Sequence, residues 1–365
     1  MKSCSTWSAR SMIRRYSSAA RGNGRNDFFL GAESGVEHQE DLLGMKQVEG
    51  LFVGLSTIDI EYLVEKLPPT NAKTFSTEFA IHAGGPAYNA AVTFSFLGGV
   101  AVVLSAVGHG KLSPVVRDDA DAYQVRIIDA APQAKELPIS SVIVEAKSGD
   151  RTLVSNSSAA GRLEALSDNA LADDALAEIS PSILLWDTFY PELAREVFKR
   201  FQGCGAPVIL DGENWTQDIE ALLPNVDVAI CSERFFPPGA TEVSEIFEAL
   251  RQVGVGQIAI TRGERPILYF DGESPGQIDV SKIRAVDTLA AGDIFHGAFS
   301  YLYARGNSFV TALEKAGEVA TISCKHFGPR SWMRSSEGST VREQINEIER
   351  HDGEGADTVR SSARR

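Results

Sequence analysis

The sequence predicts an α/β fold: a mainly parallel sheet covered by helices on both faces, with a small β-sheet lid projecting from it. Three observations carry this. Short, fully apolar runs such as "SILLWD" (182–187) leave neither strand face for water, as expected of a sheet buried on both sides. Helix-period stretches separate the later runs, which is the spacing of βαβ crossovers. One segment, residues 57–82, breaks that rhythm with two alternating stretches and no helix between them.

Along the chain, strands are expected at 51–55, 101–107, 140–146, 152–155, 182–187, 207–211, 227–230, 257–261 and 267–270. Within the exceptional segment, "IDIEYLV" and "TFSTEFAI" alternate around Pro68-Pro69 and predict antiparallel strands. Such flaps often close over a substrate. Part of 123–155 is expected to complete this lid. A helix is expected from Pro86, which suits a first helical position, along the stripe Val92 and Phe96 to Gly98. Further helices are expected at 191–202, 242–253 and 293–305. In the last, Ile294, Phe295, Ala298, Phe299 and Leu302 fall at helical spacing before Gly306. The fold is therefore expected over 46–333, flanked by polar tails at 1–45 and 334–365.

The chain has 365 residues and a formal net charge of −14. That balance argues against nucleic-acid and anionic-membrane partners, which want clustered Lys and Arg. No run of 18 apolar residues is present to span a bilayer. Cys4, Cys204, Cys231 and Cys324 stand at no metal-ligand spacing and read as reduced thiols of a cytoplasmic protein. Residues 1–26 carry Lys2, Arg10, Arg14, Arg15, Arg21 and Arg25 with many serines and no acid. They read as a disordered basic tail or as an organelle transit peptide.

Two phosphate-binding signatures fail on context. "GVGQIA" (254–259) fits a dinucleotide fingerprint but ends a helix and leads into a strand, the reverse of the required order. "GHGKLS" (108–113) lacks the earlier glycine of a P-loop and puts Leu112 after the lysine. "DTLAAGDIF" passes the same test. Ala290, Ala291 and Gly292 form a bare turn running into a helix, whose free N–H groups suit an anion such as a transferring phosphoryl. Asp293 in that turn is either a helix cap or a general base for a hydroxyl proton. Gly84-Gly85 with Asn89 forms a second bare helix entry. It suits sugar-type hydroxyls, or it simply buries an asparagine. Asp187 and Asp211 follow strands on the carboxyl side, where ligands bind α/β sheets, and are open to a substrate or a capping role. His296 reads as packed or solvated, Lys111 as solvated or facing a substrate anion, and Arg151 as part of a turn or facing the sugar site.

Taken together, "DTLAAGD", Gly84-Gly85 with Asn89, and Asp59 of "GLSTIDIEYLV" resemble the ribokinase-like (PfkB) carbohydrate kinase family over roughly 48–330. "ILLWDTFY", "LDGENW" and "ICSERF" look closest to its ketohexose and sulfofructose kinase branch. The resemblance implies a three-layer αβα sandwich that transfers the γ-phosphoryl of ATP, with Mg²⁺, to a hydroxymethyl group of a sugar-like substrate. By position it implies Asp293 as the base, with Ala290, Ala291 and Gly292 as the anion hole. Asp59, Gly84, Gly85 and Asn89 would hold the sugar. Ser232, Thr261, Gly263 and Gly328 would serve the nucleotide, Asp287 a monovalent cation such as K⁺, and Glu233 the Mg²⁺. It further implies a homodimer through the lid.

The chain also departs from the family pattern. Ala290 stands for the first glycine of the turn, and Ser232-Glu233 for the family's N-x-x-E. Pro266 ends its T-x-G-x-x-G element, and "GHGKLSPVVRDD" replaces a G-D-D-x-x-G stretch. Ala290 and the altered N-x-x-E keep a second reading open: a catalytically impaired sugar- or nucleotide-binding regulator of the same fold.

Overall fold

The computed structural model describes residues 47–157 and 173–347; the expected tail at 1–45 lies outside them, as does 348–365. Apolar runs become strands β1 (Glu49–Val53), β4 (Val100–Ser105), β5 (Val125–Asp129), β8 (Ile183–Trp186), β9 (Val208–Gly212), β10 (Val228–Ser232) and β11 (Gln257–Arg262). These seven lie parallel in the order β5-β4-β1-β8-β9-β10-β11. Antiparallel β12 (Arg265–Phe270) and β13 (Pro275–Ile278) extend the β11 edge.

Strand alternation explains why the runs are apolar throughout. Phe52, Val103, Leu185 and Ile230 enter one core layer, whereas Leu51, Val53, Trp186 and Leu210 enter the other. The first layer is closed by α1 (Pro86–Leu97), α7 (Ala291–Ala304) and α8 (Phe309–Ser323). The second is closed by α4 (Pro191–Arg200) and α6 (Val243–Gln252). Shorter helices α2 (Ser113–Ala122), α3 (Asp173–Ala177) and α5 (Gln217–Glu220) complete the connections.

The lid is a second sheet, β3-β2-β6-β7, made of β2 (Thr57–Val64), β3 (Glu78–Gly84), β6 (Ile139–Glu145) and β7 (Arg151–Ser155). β2 and β3 pair antiparallel as their alternation predicts, with Thr57 opposite Gly84 and Tyr62 opposite Phe79. Period two then sorts the faces. Asp59, Glu61 and Ser140 are buried on the inner face, while Tyr62, Phe79, Ile81 and Val154 lie exposed. Residues 125–129 belong to the main sheet, so the later part of the lid begins at Ile139.

One expectation needs correction. The polar stretch from 334 is not a tail throughout: residues 336–347 form a last helix, α9. Val341 and Ile345, one turn apart, are buried in the core layer of α1, α7 and α8. Two such residues in a polar stretch leave its overall composition unchanged. Among the described residues no helix is long and apolar enough to cross a membrane.

Candidate active site

A cleft of about 950 Å³ opens at the carboxyl ends of β8 to β11, under the lid. Asp59, Gly85, Asn89, Ser232, Glu233, Thr261, Gly263 and the turn Ala290–Asp293 all line it. Residues more than 200 positions apart in sequence thus meet around one space. Gly84, Asp287 and Gly328 do not reach the cleft and sit behind its wall.

The turn before α7 has the predicted shape. Ala290 is its N-cap residue, at φ 60° and ψ 9°, in the left-handed region that favours glycine. The Ala291 N–H turns back onto the Thr288 carbonyl at 3.3 Å. Among the described residues, the N–H groups of Gly292 and Asp293 keep no such partner. Asp293 is not the cap. Its carboxylate accepts a hydrogen bond from Asn89 Nδ2 at 2.8 Å. Burial pushes its pKa up and the Asn89 amide pulls it partly back. Burial thus makes this carboxylate a better proton acceptor than a solvated one.

The Asn89 amide oxygen is buried and unpartnered. It lines the cleft together with Asp59, which accepts from Thr57 Oγ1 at 2.9 Å and is pushed up to about 6 by burial. Together they offer two acceptors to ligand hydroxyls. The glycine pair permits this crowding. Gly85 takes φ 101°, and a Cβ on Gly84 would stand 2.0 Å from an Asp59 oxygen. Asp187 turns out to be structural. It accepts the N–H groups of Leu55 (2.8 Å), Ala87 (3.0 Å) and Phe189 (3.0 Å), tying β1, the start of α1 and the β8 loop together.

Toward the other end, Thr261 and Gly263 offer a largely bare edge. Ser232 donates to the Glu213 carbonyl at 3.0 Å, and Glu233 is paired with Arg265. Asp211 Oδ2 is buried without a hydrogen-bond partner and lies 3.4 Å from His296 Nδ1. His296 places its ring nitrogens 2.7 Å from the Gly292 carbonyl and 3.1 Å from that of Ile230, so it is packed rather than free. Lys111 is exposed on a loop away from the cleft.

Ser140, Thr57, Glu61 and His82 were not singled out in the sequence, whereas Arg151 and Asp287 were. Ser140 and Thr57 flank Asp59. Arg151 of β7 donates to the Thr288 carbonyl and, at 2.7 Å, to its hydroxyl, fastening the lid to the turn. Behind the wall, Asp287 accepts from Leu289 and Gly328, each at 2.8 Å. There Glu61 is fully buried, its pKa pushed up to about 10 by burial and then by the Asp287 charge. His82 beside it is pushed down to about 4, chiefly by burial. The alternation of "IDIEYLV" marks residues 59 and 61 as sharing a face, but not which face.

The pfkB family carbohydrate kinase model matches residues 50–335. The ribokinase of Bacillus subtilis (strain 168) is 24% identical over 303 residues, covering 81% of this chain and 97% of its own. Ribokinase of Arabidopsis thaliana is 26% identical over 295 residues, 74% of each chain. Among solved structures, Arabidopsis thaliana ribokinase complexed with ribose and ATP superposes with a TM-score of 0.63 at 22% identity, covering 83% of this chain and 99% of that one. A carbohydrate kinase from Agrobacterium tumefaciens gives 0.65 at 20% identity, covering 82% and 97%.

Proposed function

The chain belongs to the pfkB family of carbohydrate kinases, and from that premise we propose that it transfers the γ-phosphoryl of ATP to a hydroxymethyl group of a sugar. The observation that carries this is the Asn89–Asp293 pair: an acceptor amide oxygen and a proton-accepting carboxylate on one hydrogen bond, at the mouth of a helix. Asp59 and Asn89 hold the hydroxyls of the acceptor. As the hydroxyl oxygen bonds to the γ-phosphorus and ADP leaves, its proton passes to Asp293. The free N–H groups of Gly292 and Asp293 take up charge on the moving phosphoryl. The lid keeps out water, which would otherwise compete as acceptor.

Thr261 and Gly263 would lie along the nucleotide. The unpartnered Asp211 oxygen on the cleft wall fits Mg²⁺ carried with the phosphates, while Glu213 and Glu233 line the same cleft bonded to Arg234 and Arg265. Bound there, the metal would neutralise phosphate charge. For Glu233 to take part, its bond to Arg265 must open. Asp287, with unpartnered Glu61 oxygens nearby, fits a monovalent cation. The exposed apolar outer face of the lid supports a homodimer.

A panel of ketoses, aldoses and nucleosides, assayed for acceptor-dependent ADP release, tests the proposal. The Asp293→Asn chain should lose roughly a hundred- to ten-thousand-fold in kcat while still binding nucleotide. Near-normal turnover would rule out the base. Tight sugar binding without turnover in the wild-type chain would point to a regulator instead.

A further inference from the structure

The cleft is acidic. Eight Asp and Glu residues line it, against three arginines and no lysine among the described residues. A polyphosphate entering such a space needs cationic partners besides any metal that travels with it. Two of the arginines are tied to backbone. Arg151 bonds the Thr288 carbonyl and hydroxyl, and Arg262 donates Nε to the Pro266 carbonyl at 2.8 Å. Arg234 differs from both. It reaches Glu213 through one terminal nitrogen at 3.0 Å, and its side chain is 66% exposed. Among the described residues its other two guanidinium nitrogens meet no acceptor.

The backbone under Arg234 is held firmly. Ser232 Oγ donates to the Glu213 carbonyl at 3.0 Å and accepts the Arg234 N–H at 3.1 Å. The Glu233 N–H reaches the Thr261 carbonyl at 3.1 Å, and Ser232 is the register partner of Thr261. The ends of β9, β10 and β11 thus form one rim, which carries Arg234 together with the bare edge at Thr261 and Gly263.

We propose that Arg234 is a phosphate-binding residue of the nucleotide site, exchanging Glu213 for the polyphosphate when Mg-ATP enters. An exposed Arg–Glu pair holds only weakly, so a ligand of higher charge displaces the carboxylate readily. The planar fork suits two phosphate oxygens at once, and its two unbonded nitrogens supply the donors. This deepens the kinase reading and rests on it for the presence of a nucleotide, but its test reads binding and needs no turnover.

The test is calorimetric titration of the full chain with Mg-ATP, ADP and adenosine. Arg234→Gln is expected to weaken Mg-ATP and ADP by roughly tenfold or more and to leave adenosine within about twofold. Arg234→Lys, which keeps the charge and loses the fork, is expected to recover part of the loss. Unchanged Mg-ATP affinity in Arg234→Gln, or an equal loss for adenosine, would overturn the inference while leaving the kinase reading intact. A wild-type chain that binds none of the three ligands would end both. The wild-type chain also gives a readout that does not depend on a variant folding. Phenylglyoxal labelling of Arg234, followed by peptide mass spectrometry, should be slowed by Mg-ATP and not by adenosine; equal labelling in the two would overturn the assignment.

Discussion

At position 290 a methyl group sits on a backbone that favours glycine, at φ 60°. The left-handed region costs an alanine on the order of 1 kcal/mol, and the turn forms nonetheless. The substitution that suggested an impaired site is therefore tolerated in shape. A β-branched residue would not be: Ala290→Val, at a site only 6% exposed, should cost a further 1–3 kcal/mol or so. Calorimetry should show the midpoint falling by several degrees, with Ala290→Gly staying close to the wild-type chain. Asp59 makes a prediction in pH. Burial raises it from 3.8 to about 6, so the native state binds its proton more tightly than the unfolded chain does. Its charge then destabilises the fold fully above pH 6, and this penalty fades as the pH falls toward 4. Asp59→Asn should raise stability at pH 8 by up to about 3 kcal/mol, with little gain near pH 4 and with weakened acceptor binding. An equal gain at both pH values would contradict the assignment.

Among elements, α1 matters most to the acceptor side, because Gly85 and Asn89 both belong to its first turns. Its entry is anchored by Asp187 through the Ala87 N–H. Asp187→Ala would strand three donors, of which the two buried ones cost about 1–3 kcal/mol each when left unpaired. Lower stability is expected together with a raised KM for the acceptor and a nearly unchanged KM for ATP; a selective effect on ATP would show that α1 is not the element being held. The same element shows what was legible in the sequence. Pro86, the Val92–Phe96 stripe and Gly98 bounded it correctly, as alternation did for β2 and β3. Strands β5 and β13 escaped because they are short edge strands with polar or glycine interruptions. Helix α8 was missed although Ala312, Leu313, Ala316 and Val319 follow helical spacing. The nearness of Glu61 to Asp287 was beyond reach for a different reason: it depends on how the lid sheet meets the loop before α7, which no local pattern encodes.

For the whole molecule, the lid turns an apolar face outward. Phe79 is 55% exposed, Ile81 45% and Val154 72%, a patch that soluble chains usually cover. Light scattering is expected to find a dimer, and Phe79→Lys with Val154→Lys to give folded monomers. A monomeric wild-type chain would remove the dimer from the proposal. The Asn89–Asp293 hydrogen bond has a consequence of another kind. It joins residues 204 positions apart, with most of the main sheet between them. With Asp293 as the proposed base, a chain still being synthesised has the proposed acceptor side long before it has that carboxylate, and turnover would begin only when α7 docks. Contacts this distant form slowly. Recovery of activity on refolding should therefore lag behind recovery of helix and sheet, and an interrupted chain that looks mostly folded would be silent.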